Sequence, residues 1–337
     1  MIAKFKIFQA MIFRRAGEFD PSSRGVYSRA SSFIAPTPST LAGALASLHA
    51  SSYNKAENWV EEYKMALNNA ILKGPFLKIN NVWYFDCSFK RLLISQNYLY
   101  EYIQNINEII KAKDSRKLDE LDEKQDKLIK RIRRENIFKM QERIGIGLKV
   151  RETAGEEKGK IYNVKTVDEE KGKIYNAEYI EYGDFRNKNN IAEIYLDIIN
   201  PGNLRTGKYY IKLGGEGRVV ELIVDESRIS MIEELKIGDH ANALYVASHL
   251  LYETGKNIKN AIENEIGRSV EIYGSVDIVG VGYSLARKRR KPIYQALTPG
   301  SVIFINEGSV NSKEIYEKGL GIGKEIGYGT IIPVELK

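Results

Sequence analysis

"GLGIGKEIGYGTIIPVELK", residues 319–337, closes the chain and places five glycines between Gly319 and Gly329, ahead of a strand-like apolar run. Glycine reaches positive φ without steric penalty and lets another backbone approach closely, and successive N–H groups can form a nest for an anion. Two readings stay open: a loop that holds phosphates or bases, or a tight connection into the last strand of a crowded sheet. Gly321-Ile322-Gly323 begins a dinucleotide fingerprint, but Ile326 occupies the third glycine position and the segment opens no helix. A Walker loop fails too, because Gly323-Lys324 is followed by Glu325 and Lys318 stands where its first glycine belongs.

Two further glycine clusters lie upstream. "LGGEGRVVEL" carries Gly214, Gly215, Gly217 and Arg218, and "GSVDIVGVGYSLARKRRKP" carries Gly280 and Gly282 ahead of the basic run Arg287, Lys288, Arg289, Arg290 and Lys291. Like charges in a row repel, so the plain reading of that run is a mobile solvated loop. Beside glycine turns the run also suits tracking of phosphates, with salt-sensitive binding. Tyr283, Tyr294 and Tyr328 lie nearby in sequence and are candidates for stacking on splayed bases.

Composition bounds the partners. The 337 residues carry 51 Lys+Arg against 44 Asp+Glu, a net +7, which leans modestly toward a polyanion. A single cysteine, Cys87, excludes an internal disulfide and a cysteine-built zinc site and fits a reducing compartment. With only His49, His240 and His249, a histidine-rich metal centre is not expected, and neither metal nor cofactor is assigned. No apolar run long enough to span a bilayer is present, and "MIAKFKIFQAMIF" reads as a strand rather than a signal peptide. The expectation is a basic, cytoplasmic, mixed α/β protein without membrane contact.

Along the chain, residues 3–13 alternate as a strand, and a Ser/Pro/Arg-rich loop then leads to "STLAGALASLHA", with Leu41, Leu45 and Leu48 at helical spacing. Ser39 or Thr40 is expected as the N-cap, just after Pro38. A helix is expected over 55–72, and "PFLKINNVWYFD" reads as a hairpin turning at Asn80–Asn81. Helices dominate from about 95 to 135, where Leu118, Leu121, Leu128 and Ile132 form a narrow stripe. Asp119 and Asp122 on that helix are expected in ion pairs. From residue 142 strands take over, and "EKGKIYN" occurs twice, at 157–163 and 170–176, which suggests a protruding hairpin. More strands are expected at 191–199, 218–225, 270–281 and 301–306, with a helix in "ETGKNIKNAIENEI". "GDHANALYVASHL" reads as an apolar helical context for His240 and His249. Two α+β domains divided near residue 140, as 1–140 and 141–337, are the simplest partition.

Five segments together resemble one family: "FRRAGEFDPSS", "PTPSTLAGALAS", "RIGIGLKVRETAGEEKGKIYNVKTVDEEKGKIYNAE", "LGGEGR" and "GLGIGKEIGYGTIIPV". They are similar to the RAMP superfamily and, within it, to the third subunit of the Cmr effector complex of type III-B CRISPR systems. The resemblance implies an α+β fold of two ferredoxin-like (RRM-related) domains. The first carries the helical insertion at about 95–135; the second carries a β-hairpin at about 151–180 and the terminal glycine-rich loop. It implies a non-catalytic subunit that grips the repeat-derived 5′ tag of the guide RNA (crRNA). Its protein neighbours would be the large palm-domain subunit and the adjacent backbone RAMP subunit, with target RNA met indirectly. By position it assigns RNA contact to Arg14, Arg15, Gly17, Ser39, Thr40, Gly214, Gly215, Gly217 and Arg218, and to Gly319, Gly321, Gly323, Gly327 and Gly329. The basic run Arg287, Lys288, Arg289 and Arg290 joins them on charge. The family's Gly-x-Ile/Leu-Tyr-x-x-Glu element is best matched by Gly172, Tyr175 and Glu178, so the earlier "EKGKIYN" copy is a departure. Ala46 stands where the family helix commonly has a basic residue.

The main competitor is a metal-independent RAMP endoribonuclease that processes guide RNA, with His49 as its acid–base group. A pure assembly scaffold, whose glycines only satisfy the fold, is the third reading.

Overall fold

The computed structural model describes residues 1–15, 29–49, 56–135, 137–157, 160–183, 191–202, 204–214, 218–226, 230–284 and 286–337. β1 (Ile2–Ile7) buries Ala3, Phe5 and Ile7 on one face, while Lys4 and Lys6 on the other reach Glu193 (3.4 Å) and Glu221 (3.1 Å). The strand stops at Ile7 rather than running to 13. α1 (Pro38–Ala46) and α2 (Trp59–Ala66) cover the apolar face, with Leu41, Leu45, Trp59 and Val60 in one cluster with Phe5 and Ile7. α2 is shorter than the expected 55–72 and starts at Asn58, whose side chain accepts from the N–H groups of Val60 and Glu61.

β2 (Ile71–Ile79) and β3 (Val82–Cys87) are joined through Asn80–Asn81, both at positive φ (50° and 65°), as the Asn pair predicts. After β4 (Leu92–Ser95), α3 (Gln96–Lys111) and α4 (Ser115–Glu135) form an antiparallel helical hairpin where the insertion was expected. α4 buries Leu121, Leu128, Ile129 and Ile132 and leaves Leu118 exposed. Inside the helix pair, Asn105 Nδ2 donates to Gln125 Oε1 at 3.1 Å.

β5 (Phe138–Glu157) and β6 (Lys160–Tyr182) pair from Phe138–Tyr182 out to Glu157–Lys160, so the hairpin begins well before the expected 151. The two "EKGKIYN" copies occupy different places in it. In the first, Glu157 and Lys160 form the outermost described pair. The second supplies extra residues where the register jumps from Ile146–Ile174 to Leu148–Glu169, a bulge in β6.

β7 (Ala192–Asn200), β8 (Gly207–Leu213) and β9 (Arg218–Asp225) then return to β1. The result is a seven-stranded antiparallel sheet in the order β4-β3-β2-β7-β1-β9-β8. Strands from both sides of residue 140 thus share this sheet.

The remainder builds a second layer from β10 (Ala243–Val246), β11 (Leu250–Tyr252), α5 (Ile258–Ile266), β12 (Val270–Tyr273), β13 (Val276–Gly280), β14 (Ile293–Leu297), β15 (Val302–Ile305), α6 (Ser312–Lys318) and β16 (Ile331–Val334). A four-stranded antiparallel sheet runs β12-β15-β10-β16, and a smaller one β11-β14-β13. The stretch expected to be helical around His240 and His249 is therefore strand. Every residue of β10 is buried, so it lacks the alternation that marks a half-exposed strand. The two layers share a core: Phe76, Trp83, Phe85 and Tyr195 pack with Tyr245, Phe304 and Ile332. Tyr245 also donates to the Asp86 carbonyl at 2.8 Å.

Candidate nucleic-acid interface

The terminal glycine loop lies between the two layers and is bonded to both. On the second layer, Ile322 N donates to Leu251 O (3.0 Å), Gly329 N to His249 O (3.0 Å) and Gly321 N to the Glu265 carboxylate (3.0 Å). On the first, Leu72 N donates to Glu325 O (2.8 Å), and Tyr328 OH lies 3.0 Å from Ser39 Oγ. Trp59 packs edge-on to Tyr328 at 5.9 Å. Lys73, fully buried, donates to Lys324 O at 3.3 Å, and burial pushes its amine down to about 8 against the pull of Glu325.

All five glycines have positive φ, and the packing shows why side chains are excluded. A Cβ at Gly329 would stand 1.8 Å from Leu320 O, and one at Gly321 would stand 2.7 Å from Leu251 O. Gly319 closes α6, its N–H donating to Ile315 O; Gly323 faces the Trp59 ring and Gly327 the Gly74 carbonyl. The N–H groups of Gly319, Gly321 and Gly329 thus meet acceptors within the protein. Close backbone approach, from within the loop at Gly329 and from β11 at Gly321, is enough to require glycine at these positions.

The segment before the first loop pairs with residues 31–33: Phe33 N donates to Phe13 O (2.8 Å) and Phe13 N to Ser32 Oγ (2.9 Å). Arg15 crosses to the second layer, bonding Asp277 Oδ2 at 3.0 Å with its guanidinium 5.0 Å from the Phe33 ring centroid, while Arg14 is exposed. Gly17 lies outside the described residues. The N-cap of α1 is Thr37 rather than Ser39 or Thr40. Pro38 takes the first helical position, where its missing N–H costs nothing, so the cap falls two residues before Ser39. Thr37 Oγ1 lies 2.9 Å from Thr40 Oγ1 and 3.2 Å from Ser39 Oγ.

Gly214, at φ 72°, brings the turn after β8 against this same segment, where a Cβ would sit 2.7 Å from Ile12 O. Gly215 and Gly217 lie outside the described residues. Arg218 donates to Gln9 Oε1 at 3.2 Å, and its guanidinium and that of Arg143 lie 5.6 and 4.9 Å from the buried Tyr179 ring. The structure therefore gathers the segment leading to Arg14, Gly214 and Arg218 at the root of the β5–β6 hairpin. Arg143 carried no sequence signal beyond its charge. Glu178, from the Gly-x-Ile-Tyr-x-x-Glu element, is buried there and accepts from Ser32 N (3.2 Å) and Arg91 Nη2 (2.9 Å).

The basic run divides. Tyr283–Ser284 pair with Arg289–Arg290 in a short hairpin. Arg287 turns inward to the buried Glu62 carboxylate and the Ala56 carbonyl, and Ser284 Oγ donates to Glu62 Oε2 at 2.7 Å. Lys291 is buried too, donating to Tyr63 OH at 2.7 Å. Lys288, Arg289 and Arg290 are exposed, as is Tyr283, which pairs with Arg290. Tyr294 and Tyr328, expected near bases, are buried and bonded to Trp59 Nε1 and Ser39.

Among the described residues the histidines show no acid–base arrangement, although the His249 carbonyl accepts from Gly329 N in the glycine loop. His249 is buried edge-on to Phe33 at 5.2 Å, and burial together with Arg15 lowers its pKa to about 4. Burial and Arg205 also lower the pKa of His49. Among the described residues, no group of three or more His, Cys, Asp or Glu is placed to hold a metal, and no helix is long and apolar enough to cross a membrane.

Comparison with known proteins bears on identity. Residues 94–336 match the family model described as CRISPR-associated protein (Cas_Cmr3). The chain is 23% identical over 339 residues to the CRISPR system CMR subunit Cmr3 of Saccharolobus solfataricus, covering 97% of this chain and 94% of that protein. Its fold is similar to a chain in the cryo-EM structure of the Type III-B Cmr-beta bound to cognate target RNA, with TM-score 0.65, 21% identity and coverage of 98% and 96%. A chain in the Cmr-beta structure with cognate target RNA and AMPPnP, state 1, gives TM-score 0.65 at 20% identity, with 99% of each chain covered. With most of its length matched by the family model, the chain belongs to the Cas_Cmr3 family of CRISPR-associated proteins.

Proposed function

We propose that the chain is a non-catalytic RNA-binding subunit of a type III-B CRISPR ribonucleoprotein. It grips the repeat-derived 5′ tag of the guide RNA and joins the large palm-domain subunit to the adjacent backbone subunit, meeting target RNA only through the complex. The observation that carries this reading is the exposed cation set of the 283–290 hairpin. Lys288, Arg289, Arg290 and Tyr283 are all exposed there, Tyr283 is paired with Arg290, and Arg287 anchors the hairpin to the buried Glu62. A single strand is held by that combination, through phosphates on the cations and a base on the ring. Family membership and the fold shared with chains of Cmr-beta structures support the assembly role.

The architecture is read as two ferredoxin-like units. The order β10-α5-β12-β15-α6-β16 with sheet order β12-β15-β10-β16 supports this for the second. For the first, β2-β7-β1-β9 at the centre of the larger sheet supports it, with the α3–α4 hairpin and the β5–β6 hairpin inserted between β2 and β7. His49 and His249 suit packing roles better than acid–base catalysis.

The test is a titration of the chain, alone and with the large subunit, against fluorescent RNAs bearing the true tag or a scrambled tag, at near-physiological salt. Preference for the true tag with RNA recovered intact is expected. Equal affinity for both, or cleavage abolished by His49→Ala, contradicts the proposal.

A further inference from the structure

Between α1, α2 and the 283–291 hairpin lies a cleft of about 200 Å3, lined by Gly43, Glu62, Tyr63, Tyr283, Ser284 and Lys291 among others. Its charge balance is uneven. The Glu62 carboxylate is engaged on both oxygens, by Arg287 and by Ser284. Lys291, in contrast, meets a hydroxyl: its amine donates to Tyr63 OH and lies 4.3 Å from the Tyr63 ring centroid. An ammonium carries three donors, so this one has hydrogen-bonding capacity beyond its tyrosine partner. Burial lowers its pKa to about 8, against the opposing pull of the Glu62 carboxylate in the same cleft.

Gly43 shapes one wall. It sits inside α1, where glycine is a poor helix former. Packing does not demand it, because a Cβ there would find only the Tyr63 side chain, at an ordinary 3.6 Å. Its missing side chain leaves the cleft open. Two tyrosines and the Lys291 amine among the lining residues match the stacking and hydrogen-bonding needs of a nucleobase. Outside the cleft, Arg289 and Arg290 pair with Ser284 and Tyr283, so cations for flanking phosphates stand beside it.

We infer that this cleft receives a single unstacked nucleobase of the bound RNA. Its ring lies against Tyr63 and Tyr283, a carbonyl or ring nitrogen accepts from Lys291 Nζ, and the neighbouring phosphates rest on Arg289 and Arg290. The inference rests on the RNA-binding reading above and adds the place where one base is held.

The test uses a series of tag RNAs, each with one abasic position, titrated against the wild-type chain, Gly43→Ala and Lys291→Met. One position is expected to lose about tenfold in affinity when abasic in the wild type, in the range of one base–aromatic stack. That penalty should vanish in both variants while the other positions are unchanged. Gly43→Ala keeps the test informative if Lys291→Met fails to fold. Abasic profiles identical in wild type and Gly43→Ala, with tag preference intact, overturn the base pocket and leave the tag reading standing. A cleft-dependent penalty in true and scrambled tags alike supports the pocket and removes the tag reading.

Discussion

Gly74 and Thr330 join the two layers of the molecule: the Gly74 N–H donates to Thr330 Oγ1 at 3.0 Å, and that hydroxyl lies 2.8 Å from Gly327 O. Both residues are on the strand side of the glycine loop, and Thr330 is fully buried. Thr330→Val keeps the shape and removes the acceptor, leaving a buried N–H unsatisfied. The expected loss is about 1–3 kcal/mol in urea unfolding. A change below about 0.5 kcal/mol would show that the staple does not matter to stability.

Two glycines at similar φ separate backbone strain from collision. Gly267, at φ 73°, has nothing within 4 Å of a Cβ, whereas Gly329, at φ 58°, has Leu320 O at 1.8 Å. Gly267→Ala is expected to cost about 1–2 kcal/mol, from left-handed backbone alone. Gly329→Ala is expected to cost more than about 4 kcal/mol or to prevent folding. Comparable thermal shifts for the two would contradict the close-packed account of the loop.

Neighbours in the basic run should behave differently. Arg287→Gln strips the buried Glu62 of its partner and is expected to destabilise the fold by roughly 3 kcal/mol. Arg289→Gln and Arg290→Gln are expected to leave stability within about 0.5 kcal/mol. Each should lower the slope of log affinity for RNA against log salt by about 0.7, the value for one phosphate contact on a single strand. Unfolding curves and salt titrations of the three variants check this; unchanged slopes for Arg289 and Arg290 would deny them phosphate contact.

Burial gives Asp86 and His249 opposing pH dependences. Burial raises Asp86 to about 7, with Ser88 and Arg15 pulling it back. Because its folded pKa exceeds the unfolded one, its contribution to stability is full below about 4 and is lost as pH rises toward 7. His249, lowered to about 4, binds its proton more readily when unfolded, so its contribution is lost as pH falls from about 6.5 to 4. Asp86→Asn should therefore shift the stability profile toward rising with pH across about 4–7, and His249→Gln toward falling with pH across about 4–6.5. Urea midpoints at several pH values measure both; profiles parallel to wild type in both variants would contradict the assignment.

The Asn80–Asn81 turn, the helical insertion and the protruding hairpin were legible because each rests on local rules of turn chemistry or periodicity. β10 was not, since a strand buried on both faces looks like any short apolar run. The terminal glycines were visible, but their partners Lys73 and Trp59 lie some 250 residues away, so sequence spacing alone could not separate an anion nest from a staple. The basic run posed the same difficulty. Glu62, brought in from α2, and the Ala56 carbonyl hold Arg287 inward, while Arg289 and Arg290 stay exposed.

The central claim is tested most directly by cross-linking in the reassembled complex. Guide RNAs carrying one photoactivatable uridine, either in the 5′ tag or in the guide region, would be irradiated and the linked peptides of this chain mapped. The account predicts links from the tag to the 283–290 hairpin and the residues lining the cleft beside it, and none to that surface from the guide region. Links from the tag that fall only on other subunits, or links to this hairpin from the guide region alone, would contradict it.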